Sequence, residues 1–276
     1  SRGGNDGPHD GTLLEEQAST AHAVGLKQTI LLPFVTLGSL INFCDCLMAG
    51  GTSRTDHSEV GSGYIHFNFT PWGKRGDKAT ASLIGDVTRG VFLRQRRVFL
   101  GGVGGLVGPA RIEYGAVAAA GQVARGGIRE NRLVLSPPRA IDRGLEPGQT
   151  DAARPRARKN IAYLGQLFAL REWYRQVRLP TVPEARRPVV EAGLENLGAC
   201  IEERIRQLGR FLEERGVTAP TVSLQASPPC PLDVSQVQTD HLAWVQGLGD
   251  DEVRAGTQWL EDVVERVVQP ALASLS

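Results

Sequence analysis

Between Leu100 and Ala124 the chain sets an aliphatic or small residue at every sixth position, Leu100, Leu106, Ile112, Ala118 and Ala124, with glycines in the intervening steps. That stride matches neither the period of a helix, about 3.6 residues, nor the two-residue alternation of an ordinary strand. It suits a chain that turns a corner every six residues and points one small side chain per step into a narrow core. The pattern is legible at Val60-Gly61-Ser62-Gly63-Tyr64-Ile65, recurs at Ile84-Gly85-Asp86 and is clearest up to about Gly127. It predicts a mainly β fold over residues 1–128, a left-handed parallel β-helix of hexapeptide repeats. The chain opens on Ser1, so this domain is expected to be truncated at its N-terminus. Two stretches break the stride, residues 70–78 and the basic Arg94-Gln95-Arg96-Arg97, and both read as excursions from a corner that carry either a binding group or a solvated turn.

From Arg129 to Lys159 the text turns to Pro, Gly, Arg and Asp and ends in a basic run, Arg154 to Lys159, which predicts a linker over residues 129–159. Beyond it the period becomes helical. Ile161, Leu164, Phe168, Leu170, Trp173, Tyr174 and Val177 recur three or four apart and stop before Pro180. A second helix is predicted from about Pro188 to Arg215, with Leu194, Leu197, Ile201, Ile205, Leu208 and Leu212 on one stripe. A third runs from about Ser235 to Pro270, broken near Gly247–Gly249. Residues 160–276 therefore read as an α-helical C-terminal domain.

Composition narrows the functional classes. Lys plus Arg is 31 against 30 for Asp plus Glu, a balance that makes no electrostatic case for nucleic acid or a membrane surface. No run approaches the length of a membrane span. Aromatics make up 6% of the chain and glycines number 33, which favours tight turns over a broad core. Four cysteines, Cys44, Cys46, Cys200 and Cys230, are too few for a disulfide framework and point to a reducing cytoplasm. Cys44 and Cys46 fall on one face of a strand as core fillers, and no further ligands at metal-binding spacing accompany them.

Several segments keep the order and spacing of one known domain: Val24-Gly25-Leu26-Lys27-Gln28, Ser39-Leu40-Ile41-Asn42-Phe43-Cys44-Asp45, Gly63-Tyr64-Ile65-His66-Phe67-Asn68-Phe69, Asp77-Lys78, Leu106-Val107-Gly108-Pro109 and Ala118-Ala119-Ala120-Gly121. The chain over residues 9–128 resembles the β-helical acetyltransferase half of the bifunctional enzymes that acetylate glucosamine-1-phosphate and form UDP-N-acetylglucosamine. It is similar in particular to the proteins called UDP-N-acetylglucosamine pyrophosphorylase-related. The resemblance implies that Lys27 holds a phosphate, that Asn68 and Phe69 line the sugar and acyl-donor site, and that Lys78 joins them. An acyl donor, acetyl-CoA or another acyl-CoA, would lie along Gly102, Ala119 and Ala120. Ser39 stands where the family has its catalytic histidine, and His9 stands near the family's substrate arginine.

An amine that attacks a thioester must lose a proton, and an imidazole is the usual acceptor. With Ser39 at the family position, His57 and His66 are the candidate bases, each with the alternative of a hydrogen-bonded structural histidine. A zinc site of the γ-carbonic-anhydrase type would need three converging histidines, and the spacing is missing, so no metal is expected. The expected function is acyl transfer to an amino-sugar phosphate or UDP-sugar, in a homotrimer. The alternative is a non-catalytic module that binds a sugar nucleotide or trimerises a partner.

Overall fold

A computed structural model describes residues 11–67, 79–136, 142, 144, 153–236 and 240–275. From Leu13 to Val134 most of the short strands belong to two parallel sheets, between which the chain passes as it advances. The first sheet runs Leu13–Leu14, Val24–Leu31, Ile41–Met48, Ser82–Ile84, Gly105–Ile112, Val123–Ile128, with Ile65–Phe67 paired to both Ile41–Met48 and Gly105–Ile112. The second runs Ser19–Thr20, Thr36–Leu37, Glu59–Val60, Phe99–Leu100, Val117–Ala118, Leu133–Val134. In-register residues stack into columns. Leu31, Met48, Ile84 and Ile112 form one, and Leu37, Val60, Leu100 and Ala118 another, all of them buried.

The described residues also form six α-helices: α1 (Val87–Gly90), α2 (Ala153–Trp173), α3 (Leu179–Thr181), α4 (Arg187–Glu213), α5 (His241–Gly247) and α6 (Asp250–Ala273). A π-helical turn, Tyr174–Arg178, joins α2 to α3. Helix α2 is the keystone. It packs on α4 and α6, and Gly165 lets Val264 and Val268 of α6 approach it closely. Its Gln166 accepts a hydrogen bond from the Val87 amide at 2.7 Å, and Asn160 donates to the Ala79 carbonyl at 3.1 Å. Sheets and helices thus share one continuous core. Among the described residues no helix is long and apolar enough to cross a membrane.

The structure corrects the expectation of a mainly β, left-handed β-helical solenoid followed by a helical appendage. It is a mixed α/β protein, 41% helical and 23% strand, with parallel sheets. The stride that suggested the solenoid holds only over its legible window. Leu31 pairs with Met48 and Met48 with Ile84, so the chain between successive in-register residues more than doubles in length from one step to the next. The antiparallel hairpin Gly51–Ser53/Asp56–His57 takes up part of the added length, and helix α1 lies in the next interval, between Ile84 and Ile112. The helices also begin earlier than the period suggested, at Ala153, so that the basic run lies inside α2, where Lys159 donates to the Pro109 carbonyl at 3.1 Å.

The glycine run Gly101 to Gly105 has a steric cause. A Cβ on Gly101 would sit 2.3 Å from the Ala120 nitrogen, and one on Gly61 2.4 Å from the Gly102 nitrogen. Corners stack backbone on backbone there, which side chains would prevent.

Candidate functional site

The described residues singled out in the sequence lie in different surroundings. Asn68, Phe69 and Lys78, with His9, lie outside the described residues. Lys27 is exposed on strand Val24–Leu31, opposite Cys44. His66 points inward, in register with Leu106 and beside the Phe43 ring, and is 5% exposed. Its Nδ1 meets the Cys44 carbonyl and its Nε2 the Ser82 hydroxyl at 2.9 Å. Burial holds its pKa below the usual imidazole value. It is a core ring that ties neighbouring strands together, out of reach of a ligand. His57 is half-buried in the hairpin, and its Nδ1 has no hydrogen-bond partner. The neighbouring Asp56 carboxylate accepts from Thr52 at 3.1 Å and pairs with Arg97 at 3.6 Å. Arg94 caps the end of α5, donating to the Leu248 carbonyl at 2.6 Å.

Gly102, Ala119 and Ala120 do share one corner, and Ser39 stands on the same column. Backbone bonds climb it from Leu40 N to His22 O, Gly63 N to Ser39 O, Val103 N to Ser62 O and Gly121 N to Gly102 O. At its top the Ser39 hydroxyl meets His22 Nδ1 at 2.9 Å. His22 was not singled out in the sequence. Its signal is the spacing to Ser39, the same as that from Leu14 to Leu31 and from Leu31 to Met48.

The best-formed site lies elsewhere, where the first strand meets the helices. A cavity of about 360 Å³ opens between Leu13–Glu16, the π turn with α3, the start of α4 and the start of α5. This is the lower end of the range that small-molecule sites occupy. Leu13, Val182, Val190 and Leu242 supply apolar wall, and the exposed Arg186 and Val189 line the rim. Adjacent glutamates face in from the corner after strand Leu13–Leu14. The π turn inserts an extra residue before Arg178, a local feature often found at sites of function, and sets both Tyr174 and Arg178 along the same wall.

The polar groups here are unusually deep. Glu15 is 9% exposed and Arg178 7%. Arg178 pairs with Glu16 and lies 5.7 Å from the Tyr174 ring centre. Burial pushes the Glu15 carboxyl up to about 7, opposed by the Arg178 charge and reinforced by that of Glu16. His241, capped by Asp240 at the start of α5, packs edge-on to Trp173 with ring centres 5.8 Å apart, and burial with the nearby Arg178 charge drives its pKa well below the usual value. Four residues that line this cavity each hold a buried polar atom without a hydrogen-bond partner among the described residues: Glu15 Oε1, Glu16 Oε2, Arg178 Nη1 and His241 Nδ1. Such groups are rare in folded proteins, and each costs roughly 1–3 kcal/mol when left unsatisfied. A carboxyl pushed up by burial beside an arginine in a cleft makes this a candidate functional site.

Among the described residues no group of three or more His, Cys, Asp or Glu side chains is placed to hold a metal ion. The chain matches no family model and no curated protein.

Proposed function

We propose that this protein binds a small polar metabolite, of the sugar-phosphate class, in the cavity bounded by Glu15, Arg178 and His241. The observation that carries the reading is the cavity's lining by Glu15, Glu16, Arg178 and His241, each of which holds a buried polar atom without a partner among the described residues. Hydroxyls and ring substituents would satisfy them, the apolar wall would take the carbon skeleton, and Arg186 at the rim would meet a phosphate. The volume suits a ligand of sugar-phosphate size. Four free thiols support a cytoplasmic location. The test is a thermal shift with glucosamine-1-phosphate and glucose-1-phosphate, where ligand at a hundred times Kd should add about 2.7 kcal/mol of stability. The shift should vanish in Arg178→Met. No shift with either compound overturns the reading.

A second reading, acyl transfer from an acyl-CoA to an amino sugar as the resemblance implies, is favoured by one observation, the His22–Ser39 contact. It returns an imidazole to the place where the family's histidine is replaced. His22 would take the amine proton as the amine attacks the thioester carbonyl and the CoA thiol leaves. Exposed Leu40, Val103, Ile65 and Val123 around that corner would be covered by another copy in a homotrimer. Acetyl-CoA-dependent thiol release that is lost in His22→Ala would establish this reading, and no thiol release in the unaltered protein would dismiss it.

A further inference from the structure

The two ends of the strand stack are finished differently. At the first end α4 lies against strand Leu13–Leu14, and its Asn196 donates to the Thr12 carbonyl at 2.8 Å. The last coil, residues 121–136, turns large apolar groups to the outside instead. Leu133 and Leu135 are 71% and 70% exposed, while Val134 between them packs on the core, so alternation sets both leucines on the outer side. The Ser136 amide donates to Gln122 Oε1 at 2.7 Å, which fastens this segment to the start of the same coil.

Charge accompanies the leucines. Arg125, Arg129 and Arg132 are exposed on the coil, and its one carboxylate, Glu130, is taken by Arg89 at 2.8 Å. A chain whose formal net charge is only +1 thus gathers cations around two bare leucines. A single exposed leucine is ordinary on a protein surface, whereas adjacent ones set among arginines mark a contact with something both apolar and anionic. An anionic bilayer has both properties: its headgroups attract guanidinium groups, and the acyl boundary just beneath takes up aliphatic side chains. Nucleic acid offers the charge without the apolar layer, and the coil holds no aromatic ring on which a base could stack.

We propose that the last coil is a docking surface for an anionic lipid bilayer. Leu133 and Leu135 enter the interface, and Arg125, Arg129 and Arg132 meet lipid phosphates. The contact is peripheral. The cavity beside Leu13–Glu16 lies at the opposite end of the strand order and stays open to solvent in this pose.

Cosedimentation of the full chain with vesicles of phosphatidylcholine, with and without phosphatidylserine, tests this. Binding should require phosphatidylserine and weaken as salt rises. Arg129→Gln with Arg132→Gln should lower the affinity by more than about tenfold, near fivefold for each arginine. Leu133→Thr with Leu135→Thr should also lower it, at every salt concentration. All four side chains are exposed, so both double variants should melt with the parent protein. Equal sedimentation with the two kinds of vesicle overturns the proposal, as does binding to phosphatidylserine that survives either double variant. Tighter binding to an oligonucleotide than to the vesicles assigns the surface to nucleic acid and overturns it. Self-association that is lost in the leucine variant, without vesicle binding, assigns it to a second copy of the chain and overturns it as well.

Discussion

The Arg204 guanidinium of α4 reaches the Asp45 carboxylate of strand Ile41–Met48 at 2.9 Å, with the two side chains 6% and 15% exposed. Thr80 donates a further hydrogen bond to the same carboxylate at 3.1 Å. This pair ties the helices to the sheets. Two buried charges gain little net stability from pairing, but removing one strands the other, at a cost of about 3–5 kcal/mol. Asp45→Asn, which suits the left-handed backbone at φ +58°, and Arg204→Met should each destabilise in urea melts, whereas the two together should recover most of the loss. Single variants that melt with the parent protein would show that the halves are held otherwise.

Val103 is the least comfortable residue of the stacked corner. It is β-branched, has φ +52° and is 80% exposed, so its side chain is strained without being buried. Its amide bond to the Ser62 carbonyl does not depend on the side chain. Val103→Asn, better tolerated in the left-handed region, should therefore stabilise the protein by about 0.5–1 kcal/mol. A lower midpoint in denaturant would contradict this.

Much of the local structure was legible in the chain, and the class was not. The ladder Leu100, Leu106, Ile112, Ala118 and Ala124 is buried, and the stripes on α2, α4 and α6 face the core, because periodicity reports which side of an element is covered. The error came from extending one regular window to the whole fold. Nothing in the residues near Gly51 or Val87 announced a hairpin and a helix between in-register strands. The site was hidden for another reason. Glu16 and Arg178 are far apart in sequence and meet only because α2 folds back on the first strand, a relation no spacing rule encodes. The search for a base in place of the family's histidine led instead to His66, which lies on the core side of its strand, opposite exposed Ile65.

Ser82 shows what His66 is for. Its hydroxyl oxygen meets His66 Nε2 and accepts from the Ala110 amide, both at 2.9 Å, in a site without solvent. Ser82→Ala would leave a buried ring nitrogen and a buried amide without partners. Each orphaned group costs about 1–3 kcal/mol, so a loss of about 2–5 kcal/mol is expected in chemical denaturation. A loss below about 1 kcal/mol would mean that the contact is not part of the core's polar network.

The carboxyl of Glu15 should make stability fall as pH rises. In the folded protein it keeps its proton up to about pH 7, whereas in the unfolded chain it loses it near 4.5. Between these values the folded state binds more protons, so unfolding becomes easier with each step upward and the effect levels off above pH 7. The full difference is on the order of 3 kcal/mol. His66 and His241 act in the opposite sense, because burial lowers their pKa values. Their contribution is present above about pH 6.5 and fades as pH falls towards the folded-state values. The raw stability profile mixes the two trends, and the difference between the parent protein and Glu15→Gln isolates the carboxyl. Since Gln is neutral throughout, the variant should match the parent within about 1 kcal/mol at pH 5 and exceed it by roughly 2–3 kcal/mol at pH 8. Urea midpoints at the two pH values measure this directly. An advantage of equal size at both would show that Glu15 carries no proton near neutrality.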